Sequence, residues 1–250
     1  MQTCEILAGA NATNVVAQWD DAHRYTPAPR HRRRVVLDML AGLDFADCLD
    51  AGCAQPFLLQ AIVERFGVAG FGCDIADQVM AQNQQALRGC TFQVVDLTRE
   101  TWPDGRQFDL VVCSEVLEHL ADWKAAVANL VRMARKDLVI TVPSGPIRAM
   151  DQMVGHLQHF RGPELCAALL DEGCTIKDVR FWGFPLHTLY KSSISALSPA
   201  AVYTAFSGGD KYGSGKKLLS QLLYGLFFVN DLFNSGYQLF VHARPPVRGK

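Results

Sequence analysis

FDLVVC, residues 108–113, is a short apolar run, and SEVLEHL, residues 114–120, follows it without a break. Apolar residues that run on, rather than alternate with polar ones, suit a strand in a sheet covered by helices on both faces. The same unit recurs upstream. Strand-like runs at 46–51 (ADCLDA), 69–73 (AGFGC) and 91–95 (TFQVV) are separated by helix-length segments at 57–66 and 77–87. Downstream, a helix predicted over 116–133 leads to a strand at 137–142 (DLVITV). This alternation predicts an α/β fold with a doubly wound, mostly parallel sheet. Residues 1–29 are polar and broken, and Pro27 and Pro29 end any helix before one predicted over 30–43. After Pro143 come a loop carrying His156 and His159, a helix at 163–171 and a strand at 175–182. An irregular aromatic stretch at 183–213, a helix at 215–233 and a last strand at 236–242 complete the chain.

Composition removes several classes of function. With 250 residues, 49% apolar and 20% charged, the chain is a globular domain and not a disordered one. Its 24 basic and 25 acidic residues give a formal charge of −1, without the basic excess of a protein that lives on phosphate backbones, so no nucleic-acid partner is expected. Eight scattered cysteines form no C-x-x-C pair, which reads as buried reduced thiols in a cytoplasmic protein. No cysteine pair stands near His156 and His159, so no metal site is expected. The N-terminus lacks a signal-peptide pattern, and Leu218–Val229 is shorter than the ~20 residues of a membrane span.

Chemistry in an open α/β sheet gathers at the carboxyl ends of the strands. Those ends read Asp50-Ala51-Gly52-Cys53-Ala54-Gln55-Pro56, Cys73-Asp74, Asp96-Leu97, Ser114-Glu115 and Pro143-Ser144-Gly145. A single strand-end Asp often caps the next helix. Three in a row form an acidic rim suited to ribose hydroxyls, an amino group or a cation, and poor for a pyrophosphate. The G-x-G-x-x-G of dinucleotide-binding oxidoreductases keeps only Gly52, and the stretch 209–217 fails the spacing of a phosphate-binding loop.

LDAGCAQ (49–55), GCD (72–74), VVDL (94–97) and FDLVVCSEVLEHL (108–120) resemble the ordered motifs of class I S-adenosylmethionine-dependent methyltransferases. The resemblance covers roughly 45–180, and SEVLEHL is its most specific part. It implies a Rossmann-like seven-stranded sheet whose last strand is antiparallel, with a long insertion between strands six and seven. It also implies S-adenosylmethionine as cofactor, with Asp50, Gly52 and Ala54 around the methionine part. Asp74, with Ile75 beside it, would take the ribose, Asp96 and Leu97 would bracket the adenine, and Glu115 would stand near the methionine end. Ala54 and Pro56 replace the second and third glycines of the family's loop. QWDDAHRYTPAPRHRRR (18–34) resembles a lead-in helix folded over the cofactor, which makes 1–44 a lid, 45–182 the core, 183–235 an acceptor-binding insertion and 236–250 the closing strand and tail.

Methyl transfer to a hydroxyl requires loss of a proton, for which His156, His119 and His159 are the candidate bases, His156 foremost. Acceptor contacts are expected from Tyr25 and from Phe184, His187 and Tyr190, with Tyr203, Phe206 and Tyr212 on the same long connection. Aromatic walls with few charges favour an uncharged or apolar acceptor over a polyphosphate, and the leading expectation is a small molecule methylated on oxygen. A sugar or surface-glycan acceptor, and a non-catalytic member of the fold, are the alternatives. The apolar helix at 215–233 is core, a homodimer contact or the wall of a lipid-like pocket.

Overall fold

The computed structural model describes residue 21, residues 23–195 and residues 212–247. Seven strands form one sheet in the order β3-β2-β1-β4-β5-β7-β6. They are β1 Asp47–Ala51, β2 Ala69–Asp74, β3 Cys90–Val94, β4 Phe108–Ser114, β5 Ala134–Pro143, β6 Thr175–Trp182 and β7 Gln238–Arg244. Strands β1 to β5 pair in parallel, and β7 runs antiparallel between β5 and β6. The order reverses between β1 and β4, so a crevice opens at their carboxyl ends.

Period-two geometry explains why the strands read as unbroken apolar runs. Leu49, Ala51, Val111, Cys113, Leu138 and Ile140 pack on one face with Trp123, Leu130 and Phe160. Cys48, Leu110, Val112 and Val139 pack on the other with Val36, Leu40, Trp182 and Phe227. Helix α1 (Pro27–Leu40) lies on this second face and α2 (Phe57–Phe66) follows β1, ending at Gly67, whose φ of +67° closes a left-handed cap. Helices α3 (Asp77–Ala86), α4 (Trp123–Met133), α5 (Ala149–Met153), α6 (Gly162–Asp171), α7 (Leu186–Ser195) and α8 (Ser214–Leu226) complete the described helices.

Four expectations need correction. First, α1 starts at Pro27, because proline's fixed φ suits a helix's first turn and its missing N–H is not needed there. Second, the helix expected over 116–133 is broken into a 3-10 turn, Leu117–His119, and α4, with Asp122 accepting the Ala125 N–H at 3.3 Å between them. Third, 183–213 is not wholly irregular, since α7 occupies Leu186–Ser195. Fourth, the last helix ends at Leu226 and continues as a 3-10 segment, Phe227–Leu232. Tyr203 and Phe206 lie outside the described residues, as do residues 1–20 and 22 of the expected lid. Among the described residues no helix is long and apolar enough to cross a membrane.

Candidate active site

Parallel register brings the acidic strand ends to one edge. Asp50 pairs with Gly72 and with Val112, one residue before its strand ends, and Asp74 closes β2. Between them the chain turns at Gly52, whose φ is +76° and where a Cβ would stand 2.3 Å from Val116 Cγ2. Only glycine fits both the left-handed backbone and the close approach. Ala54 keeps a positive φ of 38° despite its side chain. Its N–H donates to Asp74 Oδ2 at 3.1 Å, and its carbonyl accepts from Asn83 Nδ2 at 2.7 Å. Pro56 is the N-cap of α2, and its carbonyl receives the Gln60 N–H, so the ring costs the helix no hydrogen bond.

This loop walls a cleft of about 150 Å³ lined by His23, Arg32, Asp50, Gly52, Ala54 and Glu115, among others. Burial raises the Asp50 carboxyl to a pKa of about 7, with the neighbouring charge of Asp74 adding to the effect. His23, a residue the sequence did not single out, is held neutral at a pKa of about 4 by burial and by Arg32 and Arg33. Glu115 has a φ of +60°, and its carboxylate accepts from Arg32 at 2.9 Å, Gln238 Nε2 at 2.7 Å and Thr141 Oγ1 at 3.2 Å. Glu115 therefore ties α1, β5 and β7 together under the cleft. Its three partners come from distant parts of the chain, and no local signal announced them.

The other candidates fall in several places. Ile75, 69% exposed, presents an apolar side chain directly after Asp74. Asp96 is not a lining residue of the cleft. It caps its own turn through the Thr98 N–H and hydroxyl, which lower its pKa, and pairs with Arg99. Leu97 is buried, and its carbonyl takes the Asn129 side chain at 2.9 Å. Tyr25 stacks on Tyr212 with Lys217 over its ring. Phe184 meets Phe233 edge-on and stays partly exposed. His187 stacks on Trp182 inside the core at a pKa of about 3, lowered by burial, and Tyr190 packs on Phe227. The four acceptor candidates thus do not converge on the cleft.

The three histidines do come together. His119 and His156 rings meet at 4.8 Å between centroids, and His156 Nδ1 lies 3.0 Å from His159 Nε2. His119 Nδ1 donates to the Gly155 carbonyl at 3.1 Å, and His159 Nδ1 donates to that of Gly145 at 3.2 Å. Both glycines have positive φ, and at Gly145 a Cβ would strike Tyr237 at 2.4 Å. Desolvation lowers His156 to a pKa of about 4, with His119 next in effect, and desolvation also lowers His159. Asp151, also unforeseen, bonds Lys191 at 2.9 Å and the Arg148 N–H at 2.9 Å.

Sheet order, the reversed last strand and the acidic rim beside a glycine turn define a class I methyltransferase fold. Residues 49–137 match the family model described as a methyltransferase domain. Over that stretch, about a third of the chain, the sequence is similar to a methyltransferase domain, in keeping with the fold. It is similar to the ubiquinone biosynthesis O-methyltransferase of Pseudomonas fluorescens, 30% identical over 102 residues, which are 40% of this chain and 44% of that protein. The enzyme of that name from Pseudomonas paraeruginosa is 26% identical over 163 residues, 57% of this chain and 70% of that protein. The match to the first of these relatives thus spans less than half of its length. Among solved structures, Haemonchus contortus phosphoethanolamine N-methyltransferase 2, in complex with S-adenosyl-L-methionine, superposes with a TM-score of 0.63. That likeness has 13% identity and covers 98% of this chain and 60% of that one. The N-methyltransferase NodS from Bradyrhizobium japonicum, with S-adenosyl-L-homocysteine, gives 0.59 at 16% identity over 98% of this chain and 100% of that one.

Proposed function

We propose that the chain transfers a methyl group from S-adenosylmethionine to an oxygen of a small-molecule acceptor. The observation that carries the reading is the Gly52–Ala54 turn tied to Asp74 at the open edge of the sheet. The residues there fit the cofactor. Gly52 lets the turn pack against Val116, where a Cβ would clash, and the two Asp74 oxygens each use one backbone N–H, at 3.1 and 3.0 Å, keeping lone pairs for ribose hydroxyls. Asp50 offers an ionisable partner to an ammonium group, and Ile75 an apolar surface to a base. When bound, the cofactor supplies a methyl group on positively charged sulfur, so transfer to a hydroxyl leaves a neutral thioether and one proton to be removed.

Alignment of acceptor and methyl carbon is the main task left to the protein. Residues 1–44 act as its lid, 45–182 as its core, and 183–235 as the acceptor side, with 236–250 closing the sheet. The relatives' names support oxygen as the acceptor atom. The proton is assigned to the cluster of His119, His156 and His159. Burial holds His156 at a pKa of about 4, so its ring is neutral near pH 7 and keeps a lone pair for the proton.

Calorimetric titration with S-adenosylmethionine and S-adenosylhomocysteine, with NAD as control, tests the reading. Micromolar binding of the first two and none of NAD is expected. Silence with both removes the catalytic reading and favours a non-catalytic member of the fold.

A further inference from the structure

A second and larger concavity, a groove of about 450 Å³, lies between α1, β6 and the 3-10 segment Phe227–Leu232. It shares no lining residue with the cleft. Helix α1 serves both: Arg32 and Arg33 line the cleft, whereas Arg34 and Asp38 line the groove. Asn230 also lines the groove and is wholly buried. Its Oδ1 accepts the Leu186 N–H at 2.8 Å and the His187 N–H at 3.4 Å. Two backbone donors on one oxygen fix which end of the amide is which. The other end, Nδ2, has no hydrogen-bond partner among the described residues. A buried donor left unpaired is costly, so this one calls for an acceptor from outside the chain.

The charges of the groove are already matched. Arg34 pairs with Asp231 at 2.6 Å and with Asp38 at 3.3 Å, and Arg180 pairs with Asp178. An ionic ligand would have to break one of these pairs. The polar atoms that remain are donors and acceptors side by side. Asp231 takes both Arg34 and the Trp182 indole N–H on Oδ1, which leaves Oδ2 as an acceptor. Asn234 accepts the Phe181 N–H on Oδ1 at 2.6 Å and keeps Nδ2 as a donor. Phe233, 45% exposed, also lines the groove and is braced edge-on by Phe184 at 5.5 Å between centroids.

We propose that this groove binds a neutral sugar residue. A sugar hydroxyl is donor and acceptor at once, so the hydroxyls of one ring can donate to Asp231 and accept from Asn230 and Asn234. A simple ion or a hydrocarbon cannot do both. The C–H face of a sugar ring is apolar and slightly positive, which suits the negative face of an aromatic side chain such as Phe233. The site lies apart from the cofactor's and does not depend on the methyltransferase reading.

Saturation-transfer NMR on the full chain tests it, with glucose, galactose, mannose, rhamnose and N-acetylglucosamine in turn as probes. At least one should bind at millimolar concentration and stay bound when S-adenosylhomocysteine is added. Asn234→Asp keeps an oxygen for the Phe181 N–H and removes the donor, and should weaken that sugar roughly tenfold, as loss of one hydrogen bond does. Phe233→Ala, at an exposed position, should weaken it by a similar factor. Both variants should keep the native affinity for S-adenosylmethionine, and Asp74→Ala should keep the sugar. Incubation with S-adenosylmethionine separates two sources: a methylated sugar belongs to the acceptor, an unchanged one is a separate ligand, and either supports the site. A chain that binds sugar and not S-adenosylmethionine keeps the site and removes the methyltransferase reading. No saturation transfer to any probe, displacement of the sugar by S-adenosylhomocysteine, or native sugar affinity in both Asn234→Asp and Phe233→Ala overturns the site.

Discussion

The cleft at the ends of β1 and β2 and the histidine cluster beyond β4 and β5 lie on one edge of one sheet, yet they are built by different means. The cleft is backbone work. Parallel register places Asp50 and Asp74 side by side, and a short turn with φ of +76° at Gly52 and 38° at Ala54 fills the space between them. The cluster is side-chain work across distance. His119 bonds a carbonyl 36 residues away, and Asp151 beside the cluster pairs with Lys191 of another helix. A region made of register survives local change as long as its turn can form. A region made of distant contacts depends on every element that carries one.

The largest effect that would sharpen this contrast is in pH. Asp50 has a folded pKa of about 7 against an ordinary 3.8, so its contribution to stability is full below 3.8 and is lost as pH rises through 7. Relative to Asp50→Asn, the native chain should lose about 1.4 kcal/mol per pH unit across that window, roughly 4 kcal/mol in all. Urea midpoints of both proteins from pH 4 to 8 check this, and parallel curves would deny that Asp50 is buried. Next is Gly52→Ala, which meets both the left-handed backbone and the Val116 methyl, for a combined cost of about 2–4 kcal/mol. Chemical denaturation measures it, and a stable variant would show that the turn is softer than its geometry.

Asp74→Ala removes a charged acceptor of the Ala54 and Ala76 N–H groups, and of the ribose in the proposed function. S-adenosylmethionine should bind ten- to a hundredfold more weakly, from ~1.5–3 kcal/mol per charge-assisted bond. The smallest effect is Ala54→Gly. Releasing a side chain from a φ of 38° should offset the greater chain entropy of glycine and stabilise the fold by up to ~1 kcal/mol. A lower melting temperature would mean that the turn carries no strain.

Much of the cleft was legible because its residues lie next to one another or at strand ends. LDAGCAQ and GCD name Asp50, Gly52 and Asp74, and hydrophobic runs alone align them. Asp96 was not so simply read: the motif around it is the same whether the carboxylate faces a ligand or caps its own turn at Thr98, as it does here. The break at 120–122 was hidden because Val116–Met133 keeps helical spacing throughout, while the positive φ of Glu115 and the cap at Asp122 depend on the neighbours they meet. His187 sits among aromatics in the sequence, a setting shared by an acceptor contact and by a buried histidine stacked on Trp182.

By itself the sequence determined the strands, their mostly parallel pairing and the acidic rim, since burial on both faces and strand-end chemistry are written in local runs. Tertiary structure alone decided that Glu118 is buried without a hydrogen-bond partner among the described residues, that His119, His156 and His159 share one cluster, and that Arg32 and Gln238 converge on Glu115. The reason is physical. Register and periodicity propagate from neighbour to neighbour along the chain, whereas desolvation and charge pairing depend on which distant segments finally exclude water from the same spot.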